Sequence, residues 1–386
     1  MRKSLLFTAL AALTSCTTYK QIAVQPAESI KELKYLHTYT VPFNLQYKET
    51  TVGGLSSIDY DEKSDSYFLV CDDRSSINPA RYYTAKINIG EKKIDSVFFT
   101  NRYFLLDQNG KTYPGNKENP FRVPDPEGMR YIPSGRNLVW SSEGERRFRA
   151  KDTILNNPDI HLIIKAGMWK DSFRMPENLM MSALEKGPRQ NGVLEGMSFT
   201  HDFRYLMTSV EEPLYEDGPR AALEKNQAMI RFFEFDTKKK KSTRQFAYQL
   251  ESVAHLPNPA NAYYINGVPE FLYIGNNQLL VLERSYSTGR VPCTIRIFLA
   301  DYNNATDVSS LGSLINREAY QPMKKTLLVN MDQLGIYTDN IEGITLGPLL
   351  PNGNRSVILV SDNNFSPLQQ TQFMLLELIT DKKSDK

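Results

Sequence analysis

The feature that most constrains the fold of this chain is an internal repeat that occurs five times. Each copy opens with Gly or Glu-Gly, continues as a short apolar segment, turns at a polar cluster and ends in a second apolar segment followed by an acid. The copies start at residues 54, 127, 195, 270 and 342, which are 73, 68, 75 and 72 residues apart. Such repeats indicate stacked or radial units, because one unit alone cannot bury its apolar faces.

The repeats predict an all-β fold. In the second copy, the apolar segments 129–132 and 138–143 are separated by a Pro-Ser-Gly turn, which is a hairpin signal. Hairpins that pack radially predict a β-propeller of five or six blades. The period exceeds the roughly 40 to 50 residues of compact blades, so long insertions are expected at 101–126, 170–190 and 213–227. Residues 34–48 are expected to add a strand to the last blade at 373–378 and close the ring.

The N-terminus has the pattern of an export signal. A basic start is followed by the apolar run 5–13, which is too short to span a bilayer. The sequence Leu-Thr-Ser-Cys ending at Cys16 resembles a bacterial lipobox. We therefore predict a lipoprotein signal peptide at 1–15, a lipidated tether at 16–33 and the propeller domain at 34–383. The alternative is a plain secretory signal with a chance cysteine.

This prediction also places the protein at the cell envelope. A lipid on Cys16 would be its only attachment to the membrane, by default on the periplasmic face of the outer membrane. The 46 Lys and Arg residues nearly balance the 44 Asp and Glu residues, so no overall field favours nucleic acid. Cys71 and Cys293 are expected to be free and buried rather than disulfide-bonded, and no Cys/His cluster suggests zinc. A monomer is expected.

Acidic residues recur at equivalent positions of the repeats. Strand starts and strand ends of successive blades meet at one end of a propeller, so these acids are expected to form one ring. They are Glu127, Glu195, Glu270 and Glu342 on the first strands and Asp72, Asp73, Glu143, Glu211, Glu212, Glu283 and Asp362 after the second strands. Clustered carboxylates repel one another unless cations or donors neutralise them. Oxygen ligands without Cys or clustered His suit Ca²⁺ or Mg²⁺.

These residues receive three predicted roles. The expected Ca²⁺ ligands are Asp72, Asp73, Glu127, Glu195, Glu283, Glu342 and Asp362. Glu143, Glu211 and Glu212 are candidate general bases, and Arg74, Arg81 and Arg284 are candidate clamps for an anionic group. The structural alternative is that each Glu of a Glu-Gly pair accepts backbone N–H bonds, that the Gly permits close packing, and that each arginine only pairs with its neighbouring acids.

The same segments resemble a known family. They lie at 53–56, 71–75, 79–82, 127–128, 141–144, 194–196, 211–214, 280–285, 339–343, 361–365 and 369–373. As a set they are similar to the phytase-like, "esterase-like activity of phytase" family of secreted bacterial propellers. The resemblance implies a propeller and a calcium-dependent phosphoesterase or esterase. The chain lacks the Asp-Ala-x-Asp-Pro-Ala-type segment of β-propeller phytases, so phytate is not the predicted substrate.

Two functional hypotheses follow. The first is a lipid-anchored envelope hydrolase that uses Ca²⁺ to cleave phosphate or carboxylic esters of a small molecule. The second is a non-catalytic propeller lipoprotein that binds a ligand or protein and holds a structural ion. Converging carboxylates that solvent can reach favour the first hypothesis, whereas acids consumed by backbone N–H groups favour the second.

Overall fold

A computed structural model describes residues 30–148, 152–224 and 226–381. Regular structure in these ranges is almost entirely β. The strands are β1 (Ile30–Val41), β2 (Gln46–Tyr47), β3 (Thr50–Thr51), β4 (Leu55–Asp61), β5 (Ser66–Cys71), β6 (Arg81–Ile89), β7 (Ile94–Phe104), β8 (Pro126–Ile132), β9 (Asn137–Ser142), β10 (Glu145–Phe148), β11 (Thr153–Asn156), β12 (Asp159–Ile164), β13 (Trp169–Ser172), β14 (Leu194–Phe199), β15 (Tyr205–Val210), β16 (Met229–Asp236), β17 (Lys241–Gln249), β18 (Tyr264–Gly275), β19 (Gln278–Ser287), β20 (Thr294–Asp301), β21 (Lys324–Asn330), β22 (Asn340–Leu349), β23 (Arg355–Asp362) and β24 (Thr371–Thr380). Single 3₁₀ turns occur at Glu177–Leu179, Tyr215–Asp217, Arg317–Ala319 and Met331–Leu334.

Five four-stranded antiparallel sheets form the blades of a propeller. From the axis outward, the strand orders are β4-β5-β6-β7, β8-β9-β12-β13, β14-β15-β16-β17, β18-β19-β20-β21 and β22-β23-β24-β1. The inner strands contact one another in a closed ring in the order β4, β8, β14, β18, β22. The predicted all-β propeller is confirmed, and the number of blades is five.

The N-terminal strand closes the ring as predicted. β1 pairs with β24 and becomes the outer strand of blade 5. The strand is described from Ile30 onward, and Ile30 and Leu33 are buried against the core. The extra strand ends earlier than expected, at Val41, and residues 46–51 form the separate hairpin β2–β3.

Burial follows the position of a strand in its blade. Strands near the axis, such as β5 and β23, are buried on both faces because each blade packs between two others. Their sequences are therefore continuous apolar runs rather than alternating ones. Outer strands such as β7 and β21 are largely exposed or half-buried. Between blades 1 and 2 the rings of Phe68 and Tyr131 stack with centroids 4.5 Å apart.

Each inner strand carries a bulge near its start, which is the feature that the repeat motif encodes. The register shifts fall between Leu55 and Ser57, Pro126 and Met129, Leu194 and Met197, Gly267 and Glu270, and Ile341 and Gly343. Glu127-Gly128 and Glu195-Gly196 lie in the bulges of blades 2 and 3, and Glu342 lies in that of blade 5. Bulges re-aim side chains and often occur beside functional sites.

The fourth repeat is displaced from its predicted position. The bulge of blade 4 contains Val268 and Pro269, and Glu270 is equivalent to Met129 and Met197 rather than to the other glutamates. A shift of two residues preserves the alternation of a strand, so the apolar pattern could not distinguish the two alignments. The prediction that Glu270 belongs to the ring of acids is therefore wrong.

Glu270 instead helps to fill the propeller axis. Its carboxylate lies 2.9 Å from the guanidinium of Arg130, and both side chains are 1% exposed. It also accepts hydrogen bonds from the Ser57 hydroxyl and from the Met197 main-chain N–H. Arg130 donates in turn to the Ser57 hydroxyl and to the Phe271 carbonyl oxygen. Four inner strands are thereby tied together at the propeller axis.

One end of the propeller carries two kinds of connection. Some lead into the innermost strand of a blade, and the others follow the second strand of a blade. This end carries the segments 105–125, 173–193 and 211–228, which overlap the three predicted insertions. Cys71 and Cys293 are free as predicted; Cys71 is buried and Cys293 partly exposed. No helix within the described ranges is long and apolar enough to cross a membrane. Cys16 and the predicted signal peptide lie outside the described residues.

Candidate functional site

A funnel of about 690 Å³ opens at the loop-bearing end of the axis. Many of its lining residues lie where inner strands begin or second strands end, so most blades contribute. Its carboxyl groups belong to Asp72, Asp125, Glu127, Glu195, Glu211, Asp339, Glu342 and Asp362, and its guanidinium groups to Arg74, Arg284 and Arg290. The whole chain has a net charge of only +2, whereas this funnel carries a clear excess of negative charge.

The glycine after each bulge glutamate explains how the glutamates reach the funnel. A Cβ atom on Gly128 would lie 2.7 Å from the main-chain oxygen of Glu195, and one on Gly196 would lie 2.8 Å from a carboxylate oxygen of Glu270. The missing side chains allow adjacent inner strands to approach each other. The Glu-Gly motif thus has two parts, because the glycine serves packing while the glutamate faces the cavity.

Two of the lining carboxylates have no partner among the residues that the structure describes. Asp72 and Glu127 are partly exposed, and no ion pair or hydrogen-bond donor within the described ranges contacts either carboxylate. Burial raises the pKa of Asp72 well above its ordinary value, and the charges of Glu342 and Asp125 add to this effect. Burial likewise raises the pKa of Glu127, followed by the charges of Glu195, Asp125 and Asp72. Among the described residues, neither carboxylate is therefore neutralised by an ion pair of its own.

Asp125, Glu127 and Glu143 form the group best arranged to hold a cation. One carboxylate oxygen from each lies within 4.8 Å of those of the other two. Glu143 also accepts a hydrogen bond from the Val193 main-chain N–H, and burial raises its pKa to about 7. Burial raises the pKa of Asp125 as well. Three converging hard oxygen donors fit Ca²⁺ or Mg²⁺ and do not fit a soft metal.

Glu195 lies beside this group. Its carboxyl group shares a hydrogen bond with that of Glu143, and it is partly exposed to the funnel. Burial raises its pKa well above the ordinary value, and the charges of Glu143 and Glu211 raise it further. Two carboxyl groups at hydrogen-bond distance can share one proton.

The arginines of the funnel are neutralised by neighbouring acids. Arg284 lies 2.7 Å from the Glu211 carboxylate and also contacts Glu342 and the side-chain oxygen of Asn340. Burial opposes its charge, yet Glu342 and Glu211 hold the pKa of Arg284 well above its usual range. Burial also raises the pKa of Glu342, to about 8.

Arg74 and Asp362 have partners of their own. Arg74 pairs with Glu145 and lies 3.4 Å from Asp125. Asp362 accepts hydrogen bonds from the Asn364 main-chain N–H and the Asn340 side chain.

The structure does not bring Asp73 and Arg81 to the funnel. Their ion pair of 2.7 Å is almost completely buried. Asp73 also accepts three main-chain N–H bonds from residues 76–78, and Arg81 donates to the Thr51 carbonyl oxygen. Because successive residues face opposite sides of a strand end, Asp72 faces the axis and Asp73 faces away. The pair fixes a loop and is not placed to bind an ion or an anionic ligand.

Glu212 and Glu283 also face away from the funnel. Glu212 pairs with Arg220 at 2.9 Å, while its neighbour Glu211 lines the cavity. Glu283 is 1% exposed and contacts Tyr248 and Lys325, while its neighbour Arg284 lines the cavity. Each adjacent pair contributes one residue to the site, so the predicted base role of Glu212 and metal role of Glu283 have no support in the geometry.

Sequence reasoning missed Asp125, Glu145 and Asn340. Asp125 falls within the predicted insertion 101–126, although it precedes Glu127 by two residues, the spacing that places side chains on one face of a strand. That spacing was a usable signal. Glu145 pairs with Arg74 and Asn340 contacts Arg284. No pattern in the sequence indicates these contacts.

A second cavity of about 930 Å³ lies beside blade 2 and is lined by Trp140, His161 and Trp169 among others. None of the residues with a predicted role lines it. The funnel is therefore the candidate site, because it combines the predicted acids with an opening at the loop-bearing end.

Comparisons with known proteins found one family model and several distantly similar solved structures. The family model described as "Phytase-like: Esterase-like activity of phytase" matches residues 50–365. No curated protein matches the chain. Similar solved structures include a thermostable family-43 glycoside hydrolase (TM-score 0.46, 11% identity, covering 90% of this chain and 94% of that one). A second is an exo-β-1,3-galactanase from Phanerochaete chrysosporium (TM-score 0.43, 10% identity, covering 91% of this chain and 64% of that one). A third is a periplasmic gluconolactonase from Pseudomonas aeruginosa (TM-score 0.37, 10% identity, covering 85% of this chain and 86% of that one). At these identities and TM-scores the likeness does not bear on what this chain binds.

Proposed function

Because the chain belongs to the phytase-like family, we propose that it is a calcium-dependent hydrolase that cleaves a phosphate or carboxylic ester in the axial funnel. The observation that carries this proposal is the convergence of Asp125, Glu127 and Glu143. Asp125 and Glu127 line the funnel together with Asp72, whose carboxylate has no partner among the described residues. A purely structural acid would be satisfied by donors. Carboxylates left without a counter-charge at the open end of a rigid fold favour a bound cation and a site.

The acids divide into ligands and a base. Asp125, Glu127 and Glu143 would hold Ca²⁺ through carboxylate oxygens. A bound cation of this kind polarises an ester oxygen and lowers the pKa of nearby water. Of the predicted bases, Glu143 is better placed as a ligand and Glu211 is paired with Arg284. We assign the base role to Glu195, because it is partly exposed to the funnel and lies directly beside the proposed ligand Glu143.

Hydrolysis adds one water molecule across the ester. Glu195 accepts a proton from the attacking water molecule while the oxygen of that water bonds to the acyl carbon or phosphorus. The bond to the alcohol oxygen breaks, and that oxygen receives the proton. Arg74 has a partly exposed guanidinium beside Asp125 and would orient an ester oxygen through hydrogen bonds.

We also propose that the protein is lipid-anchored at the cell envelope, as the sequence predicts. Residues 17–29 separate Cys16 from β1 and would act as a tether. Incorporation of an alkyne-labelled fatty acid in the expressing cell, lost in Cys16→Ser, is the expected result. Label retained in Cys16→Ser would contradict the anchor.

The alternative function, a non-catalytic propeller with a structural ion, is favoured by the neutralised arginines. Arg284 is fully engaged with Glu211, Glu342 and Asn340, as a structural role requires. Turnover separates the two functions, because both predict cation binding.

The test uses soluble protein that starts after Cys16. Calcium binding is measured by calorimetry, and hydrolysis of 4-nitrophenyl phosphate and 4-nitrophenyl acetate is measured with calcium and with EDTA. We expect calcium-dependent turnover of at least one compound, reduced at least about 100-fold in Glu195→Gln and accompanied by weaker calcium binding in Glu127→Gln. Glu91→Gln, an exposed acid far from the funnel, is the matched control.

The outcomes discriminate clearly. Calcium binding with no turnover of either compound would favour the binding protein. Absence of calcium binding would overturn the metal mechanism. Full turnover in Glu195→Gln would show that another group acts as the base.

A further inference from the structure

The funnel is also lined by a group of exposed apolar side chains, which we call the apolar wall. Tyr263, Tyr286, Val291 and Leu368 all line it, although they are 56%, 37%, 75% and 86% exposed. Tyr263 and Tyr286 stand at the start of β18 and near the end of β19, with ring centroids 6.2 Å apart. Val291 lies in the connection from β19 to β20, and Leu368 in the connection from β23 to β24. Blades 4 and 5 therefore supply this wall, whereas blade 2 supplies the cation group Asp125, Glu127 and Glu143.

Such a cluster needs an explanation. Exposed apolar side chains are ordinary when scattered, but a group of four around a cavity marks a surface that binds an apolar group. Leu368 and Val291 make no contribution to the buried clusters between blades. Their position at the mouth of the funnel leaves a ligand as the natural partner.

The charge of the funnel limits what else the ligand carries. Eight carboxyl groups and three guanidinium groups line it, an excess of five negative charges at full ionisation. When these carboxyl groups are ionised, two bound divalent cations would still leave the funnel with a net negative charge. The two arginines nearest the acids, Arg74 and Arg284, are already paired with carboxylates. A polyanion would meet net repulsion, and Arg74 and Arg284 have too little uncompensated positive charge to offset it.

We propose that the funnel takes an uncharged carboxylic ester whose alcohol part carries an aromatic or apolar group, with that group held against the wall formed by Tyr263, Tyr286, Val291 and Leu368. The inference rests on the proposed hydrolase function and narrows its substrate class. The ester bond would lie over the acids of blades 2 and 3, and the apolar group would extend toward blades 4 and 5.

Three matched compounds test the proposal. Ethyl acetate and 2-phenylethyl acetate share the acetyl group and have similar intrinsic reactivity, whereas 2-phenylethyl phosphate keeps the phenyl group and adds charge. Acid release is followed in a pH-stat with calcium present. We expect kcat/KM for 2-phenylethyl acetate to exceed that for each of the others by at least about tenfold.

Variants locate the effect. Leu368→Ser and Tyr286→Ala should each lower the ratio of kcat/KM for 2-phenylethyl acetate over ethyl acetate, by about three- to tenfold. Leu349→Ser is the matched control, because Leu349 is 57% exposed and lies at the opposite end of its strand from the funnel. An unchanged ratio in both wall variants would overturn the proposal, as would equal turnover of the two acetates or preference for the phosphate ester.

A binding measurement keeps the inference separate from the hydrolase proposal. Binding of 2-phenylethanol is followed by calorimetry or ligand-observed NMR and needs no turnover. Binding weakened in Leu368→Ser but not in Leu349→Ser would support the wall even if no ester were hydrolysed, in which case only the hydrolase function would fail. No binding of 2-phenylethanol together with no turnover would overturn both.

Discussion

Asp72 and Asp73 show how differently two adjacent acids behave at one strand end. Asp73 is buried against Arg81 and accepts three main-chain N–H bonds, so it belongs to the structure of blade 1. Asp72 lies over Gly54, where an added Cβ would be 2.0 Å from its carboxylate, and faces the funnel without a partner. Sequence places the two residues side by side, and the pleat of the strand separates their roles.

Substitution of the two residues should therefore have opposite effects on stability. Asp73→Asn leaves Arg81 buried without its counter-charge and should lower the free energy of unfolding by about 3 to 5 kcal/mol. Asp72→Asn removes a repelled charge and should leave the stability of calcium-free protein unchanged or higher. Urea unfolding in EDTA measures both. Equal destabilisation by the two variants would contradict the assigned orientations.

Among the strands, the bulged inner strands have the strongest link between motif and geometry. Gly128 and Gly196 allow neighbouring strands to approach, and the bulge directs Glu127 and Glu195 into the funnel. The two residues of the Glu-Gly repeat therefore have different roles. The glycine allows close packing of the strands, and the glutamate faces the candidate site.

Gly128→Ala should be destabilising because its Cβ would press on the Glu195 carbonyl oxygen and the Met197 side chain. We expect a loss of about 1 to 3 kcal/mol in the free energy of unfolding. Gly312→Ala is the control, since nothing lies within 4 Å of a Cβ at that position. Equal stability of the Gly128→Ala and Gly312→Ala proteins by urea unfolding would show that the strands can separate at no cost.

The closing strand offers a test of the ring. A chain that starts at Pro42 lacks β1 and leaves the edge of β24 unpaired, which exposes backbone donors and favours aggregation. It should show a lower Tm and broader unfolding than a chain that starts at Ile30. The longer chain, which keeps the buried Ile30 and Leu33, should match protein that starts after Cys16. A Pro42 chain with unchanged Tm and cooperativity would contradict the role assigned to β1.

At the scale of the whole molecule, the funnel concentrates negative charge that the rest of the protein balances. Burial raises the pKa of Glu143 to about 7 and that of Glu342 to about 8. An unfolded glutamate has a pKa of about 4.3, so the folded protein holds more protons than the unfolded chain between these values. Stability then falls as pH rises through this range, because the unfolded state releases protons more readily.

Calcium-free protein should consequently have a higher Tm at pH 5.5 than at pH 8. Added calcium should raise the Tm at pH 8 more than at pH 5.5, because protons compete with the cation for the same oxygens. Scanning calorimetry in EDTA and in calcium at the two pH values measures this difference. A Tm in EDTA that rises from pH 5.5 to pH 8 would show that these carboxyl groups are ionised at little cost.

The periodicity of the sequence determined the propeller, its closing strand and the zone in which the acids gather, because a repeat of hairpins can bury its faces only against copies of itself. The sequence did not determine which residue of each adjacent pair, 72/73, 211/212 or 283/284, faces the axis. Alternation along a strand requires that two neighbouring side chains point to opposite faces, but it does not say which of the two points to the axis. It also left the register of the fourth repeat open by two residues. Only the packing of one inner strand on the next decided these points. The same packing places Asp125 beside Glu127 and Glu143, and it places Glu270 in the buried axis rather than in the funnel.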